Sequence, residues 1–310
     1  VPAAVLVAAV AAVLTPRSVV FVDTARGAVL RSVELPGEGL AIFAAPDGRV
    51  VVPLEGEDAT AVVSTAGKVE PWRGRVFPLF CVDDDRMFVV FPNMLATLSY
   101  PERLPLMRVP LEGVPAIRRA ACSRDGRLIA VIPALPGARV LLIAATVEGG
   151  TVRSVQLVGE ATHVVLAEDG VVAVAAGGTA VEAAVLGDAR ARPALTTGGE
   201  VRSLCLAANG RDVLIGLARG AAGEVVGFRV KSKSGQPLKE RFRTPLPAPV
   251  VAIAATDEEV AAISGEVLVL LAKGGRRIVR RLGLRGARDV AVLPARPSSP
   301  LPAWSDATKP

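Results

Sequence analysis

A chain of 310 residues is too long for one small domain and suits either two domains or one large all-β barrel or propeller. Apolar residues make up 51% of it and aromatics only 4%, so Val, Leu, Ile and Ala must fill the interior, as in closely stacked sheets. Cys81, Cys122 and Cys205 are an odd count, too sparse for a disulfide framework, and read as buried free thiols in strands.

The first stretch, "VPAAVLVAAVAAVL" (1–14), is almost wholly apolar. It is shorter than the roughly 20 residues a membrane-spanning helix needs, so no transmembrane segment is expected. Two readings stay open. As a signal peptide it lacks a basic start, though Ala11-Ala12 could serve a cleavage site, and the protein would then be exported or periplasmic. As a strand it is structural, and a cytoplasmic location is expected.

Further along, one unit recurs: an apolar run, a tight acidic or Asn-Gly turn, and a second apolar run. The turns are Pro46-Asp47-Gly48, Asp83-Asp84-Asp85, Arg124-Asp125-Gly126, Glu168-Asp169-Gly170, Ala208-Asn209-Gly210 and Thr256-Asp257-Glu258. Their middle residues are 37, 41, 44, 40 and 48 apart. Such a period, with four strands per unit, marks a β-propeller. A second hairpin follows in most units, as in "FVDTARGAV" (21–29), "VVSTAGKV" (62–69), "GFRVKSKSGQP" (227–237) and "LLAKGGRRI" (270–278), with Gly at the turn.

Six turns head six complete sheets, and "ARDVAVLP" (287–294) is a seventh first strand without partners after it. The N-terminus supplies them: Val5–Val13 as second strand, Ser18–Asp23 as third and Val29–Leu35 as fourth. The predicted fold is therefore all-β, a propeller of seven four-stranded blades over residues 1–294, closed by N-terminal strands pairing with a C-terminal one. The remaining segment, 295–310, is rich in Pro and Ser and is expected to be a disordered tail, with Trp304 either incidental or an anchor for a partner groove.

"VVFVDTARGAVLRSVELPGEGLAIFAAPDGRVVV" (19–52) resembles the repeat of the seven-bladed YVTN-type β-propellers, relatives of the WD-repeat proteins, in its Asp-Thr-Ala-x-Gly and Pro-Asp-Gly elements. The other units match in pattern alone, and the Trp-Asp and Gly-His pairs of WD repeats are missing. The resemblance implies a fold and no reaction.

Catalytic motifs are scarce. His163 is the one histidine, so a zinc or copper site lacks ligands, and no metal or cofactor is expected. Asp83-Asp84-Asp85 offers hard-cation ligands but reads as a solvated turn. No Gly-x-Ser-x-Gly elbow, P-loop or Gly-x-Gly-x-x-Gly is present. Short links such as "PGEG", "TGGE" and "SGE" project too little to wall a pocket.

Charge is uneven. Residues 229–288 carry 13 Lys/Arg and 5 Asp/Glu, a net of +8, which leaves −2 for the rest of a chain of formal charge +6. Arg229, Lys231, Lys233, Lys239, Arg241 and Arg243 flank the hairpin of the fifth blade; Lys273, Arg276, Arg277, Arg280 and Arg281 flank that of the sixth. These runs should merge into one basic rim, read either as solvated hairpins or as a docking surface. Two functions follow. One is a non-enzymatic scaffold or binding subunit, a monomeric ring or part of a larger complex, whose rim meets an acidic protein partner. The alternative is an envelope-located, lactonase-like hydrolytic propeller using His163 or a central acid. Phe228 and Phe242 are too few aromatics near the rim to support nucleic-acid binding.

Overall fold

The computed structural model describes residues 9–55, 59–80, 86–91, 94–100, 102–111, 114, 116–134, 139–146, 149–167, 172–185, 189–207, 209–231, 238–256, 259–272 and 274–293. Asp83-Asp84-Asp85, Glu168-Asp169-Gly170, Ala208, Asp257-Glu258, Cys81, Lys233, Lys273 and 295–310 with Trp304 lie outside the described residues, as do 1–8.

In chain order, β1 (Val10–Leu14), β2 (Ser18–Asp23) and β3 (Ala28–Glu34) come first. Blade one is β4 (Phe43–Ala44), β5 (Val50–Pro53), β6 (Ala59–Val63) and β7 (Val69–Arg73); blade two is β8 (Phe77–Phe80), β9 (Arg86–Phe91), β10 (Met94–Ser99) and β11 (Pro105–Pro110). Blade three is β12 (Ile117–Cys122), β13 (Leu128–Pro133), β14 (Arg139–Thr146) and β15 (Gly149–Gln156); blade four is β16 (His163–Ala167), β17 (Val172–Gly177), β18 (Ala180–Val185) and β19 (Arg192–Thr196). Blade five is β20 (Glu200–Leu206), β21 (Asp212–Arg219), β22 (Ala222–Val230) and β23 (Leu238–Leu246); blade six is β24 (Val250–Ala255), β25 (Glu259–Ser264), β26 (Val267–Ala272) and β27 (Arg277–Gly283). Finally β28 (Asp289–Leu293) pairs with β1, so that blade seven runs β28-β1-β2-β3 and closes the ring. The register is continuous from Val10↔Leu293 to Leu14↔Asp289. The seven-bladed architecture and its mode of closure are those expected from the repeat. Where Val5–Val13 was expected as a strand, the described part is strand from Val10 and runs on to Leu14.

The first strands of successive blades lie against one another and form the inner ring. Second and third strands are buried on both faces, as in the wholly buried β5 (VVVP) and β13 (LIAVIP), because each blade is covered by a neighbour on either side. Hydrophobic clusters accordingly sit between blades: Leu14 and Phe21 of blade seven meet Val50 and Val52 of blade one, and Val213 and Ile215 of blade five meet Val174 and Val181 of blade four. The seam between blades one and two differs. Its buried residues are Ala45, Met87 and Tyr100, with Trp72 and Phe80 packed against them. Three aromatics meet here, with Phe80 edge-on to Tyr100 at 5.1 Å and the Arg103 guanidinium 4.7 Å from the Trp72 ring centre.

Three of the repeated turns share one chemistry. Asp47, Asp125 and Asn209 each accept through Oδ1 the backbone N–H two residues on, from Arg49 at 3.0 Å, Arg127 at 3.1 Å and Arg211 at 2.8 Å. Gly126 then takes φ +67°, which a side chain would disfavour, and donates its N–H to the Ser123 carbonyl at 3.1 Å. Antiparallel strands in sequence put these turns and the third-to-fourth-strand hairpins at one end of the ring. The inter-blade links emerge at the other.

Candidate functional site

The basic residues resolve into three groups. Arg229 and Arg243 are paired inside blade five: Arg229 forks onto Asp212 (Nε–Oδ1 2.6 Å, Nη2–Oδ2 2.9 Å), and Arg243 bridges Glu224 at 2.6 Å and Glu240 at 2.9 Å. Arg280 is structural. Its stem crosses Gly27 of blade seven, where a Cβ would stand 2.3 Å from Cδ, and Nε donates to the Ala25 carbonyl at 2.9 Å. Lys231, Lys239, Arg277 and Arg281 are exposed on the β22 end, β23 and β27, and among the described residues no carboxylate pairs with them.

Between blades five and six, at the end carrying the Asp/Asn-Gly turns, lies a cleft of about 630 Å³. Arg229, Arg241 and Arg276 line it together with Asp212, Phe242, Thr256 and Glu259. Short loops led to the expectation that no walled pocket forms. The walls are strand ends of two blades, so loop length does not govern them. Phe242 is clamped in place: a Cβ on Gly227 would lie 2.0 Å from its ring, and one on Gly275 2.7 Å. Thr244 Oγ1 donates to the Gly275 carbonyl at 2.8 Å and fastens β23 to the hairpin of blade six. The Arg276 guanidinium sits 5.9 Å from the Phe242 ring centre. Glu259 Oε2 is buried and, among the described residues, has no hydrogen-bond partner.

At the opposite end, polar side chains open the innermost strands. Asp289 Oδ2 accepts the Ile42 N–H at 3.1 Å and Ser203 Oγ accepts the Ile253 N–H at 3.0 Å, each tying one inner strand to the next blade. Burial pushes the Asp289 carboxyl up to about 6, although backbone N–H groups of Ile42 and Val290 and the Arg119 charge pull the other way. His163 lies 2.8 Å from Thr162 Oγ1 through Nδ1. Burial, helped by the Arg119 charge, depresses it to about 4 against a hydrogen bond with the Arg202 backbone. Arg119 thus acts on both groups, and the imidazole is neutral at pH 7. Arg119, Ser203 and Asp289 escaped the sequence reading; their shared signal is position, just after an inter-blade link.

Cys122 Sγ donates to the Phe80 carbonyl at 3.4 Å, and burial pushes the Cys205 thiol up to about 12, which leaves it unreactive. Among the described residues no group of three His, Cys, Asp or Glu is placed to hold a metal, and no helix is long and apolar enough to cross a membrane.

No family model and no curated protein matches the chain. Solved structures do. A functionally unknown protein from Desulfotomaculum acetoxidans superposes with a TM-score of 0.72 at 14% identity, over 92% of this chain and 98% of that one. The Cps50 (Swd1) β-propeller domain of Myceliophteria thermophila gives 0.65 at 13%, over 84% and 90%. A candidate 6-phosphogluconolactonase from Bacteroides fragilis gives 0.66 at 10%, over 94% and 99%. Identities this low carry the fold alone: the chain is a seven-bladed β-propeller whose structural neighbours include both lactonase-type and WD-type rings.

Proposed function

We propose that this protein is a non-enzymatic binding propeller that docks a partner protein with an acidic surface on blades five and six. The observation that carries the reading is a surplus of cations there. The outer strands of the other blades each hold one basic residue, Arg31, Arg73, Arg108, Arg153 and Arg192, enough to discourage edge-to-edge pairing. β23 holds Lys239, Arg241 and Arg243, and β27 holds Arg277, Arg280 and Arg281. Exposed like charges on adjacent blades repel one another, and an acidic surface relieves that repulsion and speeds encounter.

The test is affinity capture with the native chain, with Lys239→Glu/Arg277→Glu/Arg281→Glu, and with Arg73→Glu/Arg108→Glu/Arg153→Glu, which moves the same charge elsewhere. Arg280 is left alone because it braces blade seven. Loss of one acidic partner in the first variant and retention in the second is the expected pattern; equal capture by all three chains refutes it. A hydrolytic channel is the second reading, favoured by the convergence of Arg119 on His163 and Asp289. Against it, both Asp289 oxygens already accept backbone N–H groups, so the carboxyl serves as a strut.

A further inference from the structure

The cleft between blades five and six carries two departures from the repeat, both at one bulge. Among the described residues, five blades shift register once between their third and fourth strands, which leaves one extra residue on the fourth: Leu30, Leu106, Ala194 and Val279 in blades seven, two, four and six, and Arg241 in blade five. Blade five alone puts a cation there. Leu30, Leu106 and Val279 stand exposed at this position, whereas Arg241 lines the cleft. The residue after the bulge faces Phe21, Thr97, Val181 or Leu270 in the other four blades and Gly227 in blade five, where the Phe242 ring takes the place of the missing side chain. The charge of Arg241 is little used. It reaches Asp212 only at 3.7 Å, beyond hydrogen-bonding distance, because Arg229 and the Asn209 amide already hold that carboxylate. Arg276 enters from the hairpin of blade six, over Phe242, and no carboxylate pairs with it among the described residues. Glu259 Oε2 is closed off from solvent and takes no part.

We infer that this cleft binds a small oxyanion, the phosphate or carboxylate group of a small molecule, on the donor forks of Arg241 and Arg276. The described groups left unspent at its walls are guanidinium donors, which sets the charge of the ligand. The volume of about 630 Å³ falls within the range of small-molecule sites, roughly 300–1,000 Å³, which sets its size. Phe242 supplies position. Its ring is pressed against Gly227 and Gly275, so Arg276 lies against a fixed apolar surface and little ordering remains to be done on binding. The site goes beyond the docking reading and does not depend on it, since it needs neither a partner protein nor Lys239, Arg277 or Arg281.

The experiment is isothermal titration calorimetry of the native chain with inorganic phosphate and with citrate, at an ionic strength held constant with sodium chloride. Saturable binding of at least one is expected, and the tighter of the two identifies the source of the oxyanion. Arg241→Gln/Arg276→Gln should weaken it by about tenfold or more, while Arg277→Gln/Arg281→Gln, which removes the same charge from the open rim, weakens it by less than about threefold. Arg241→Lys/Arg276→Lys separates the site from general attraction. It keeps the charge and removes the planar forks, so a built site loses about fivefold or more. No saturable binding of either anion, equal losses in rim and cleft variants, or full affinity in the lysine variant overturns the proposal. So does a Glu-rich peptide that binds through Arg241 and Arg276 while neither small anion does, since the cleft would then belong to a partner's acidic segment. Melting curves of each variant exclude unfolding as the cause. The docking reading fails separately, if Lys239→Glu/Arg277→Glu/Arg281→Glu still captures the partner.

Discussion

Asp289 and His163 face each other's influence through Arg119, and their shifts oppose in sign. Asp289 is raised to about 6 from 3.8, so its contribution to stability is fully present below about pH 4 and is lost as pH rises through 6. His163 is lowered to about 4 from 6.5, so its contribution is present above 6.5 and is lost as pH falls through 4. The slopes offset in the native chain between about pH 4 and 6. Thermal melts across that range should show His163→Gln losing stability as pH rises and Asp289→Asn gaining it; parallel curves for all three chains would contradict the assignment. Glu182 makes a second residue-scale case. Its buried carboxylate accepts the N–H groups of Val158 and Gly159, each at 2.7 Å, and so holds the link between blades three and four. Glu182→Ala strands both donors and should lower the urea-unfolding free energy by about 1–3 kcal/mol.

The strands and the turns at Asp47, Asp125 and Asn209 were legible in the sequence because their chemistry is local. An Asp or Asn that accepts the second N–H along, followed by Gly, needs no information from other blades. What stayed hidden depends on contacts between blades. β4 spans only two residues, and the Ile42 N–H just before it is spent on Asp289 of blade seven. Likewise the basic runs were visible as charge, but whether an arginine is spent on Asp212, laid over Gly27 or left exposed is decided by the neighbouring strand. The clamp on Phe242 gives a test at this scale. Gly227→Ala puts a methyl into the ring, so it should cost about 1–3 kcal/mol by overpacking. A variant as stable as the native chain would show that the ring is free to move.

As a whole the molecule is a ring held by one joint between its ends, β28 on β1. Without β28, β1 exposes an unpaired edge, and Ala12, buried opposite Ala291, loses that cover. Removal of residues 289–310 should therefore shift the chain to larger species on size exclusion; unchanged elution and melting would show that closure is dispensable. Closure also matters for docking, since blade seven carries the Gly27 surface on which Arg280 of β27 rests. A rigid ring with cations concentrated on two of seven blades is a surface with one preferred direction of approach. Zero-length carbodiimide coupling of the native chain to its captured partner tests this most directly, because it joins lysine amines only to carboxylates they already touch. The account predicts bonds from Lys239 and Lys231 to partner Asp or Glu residues. Coupling confined to Lys68 in blade one or Lys309 in the tail would contradict it.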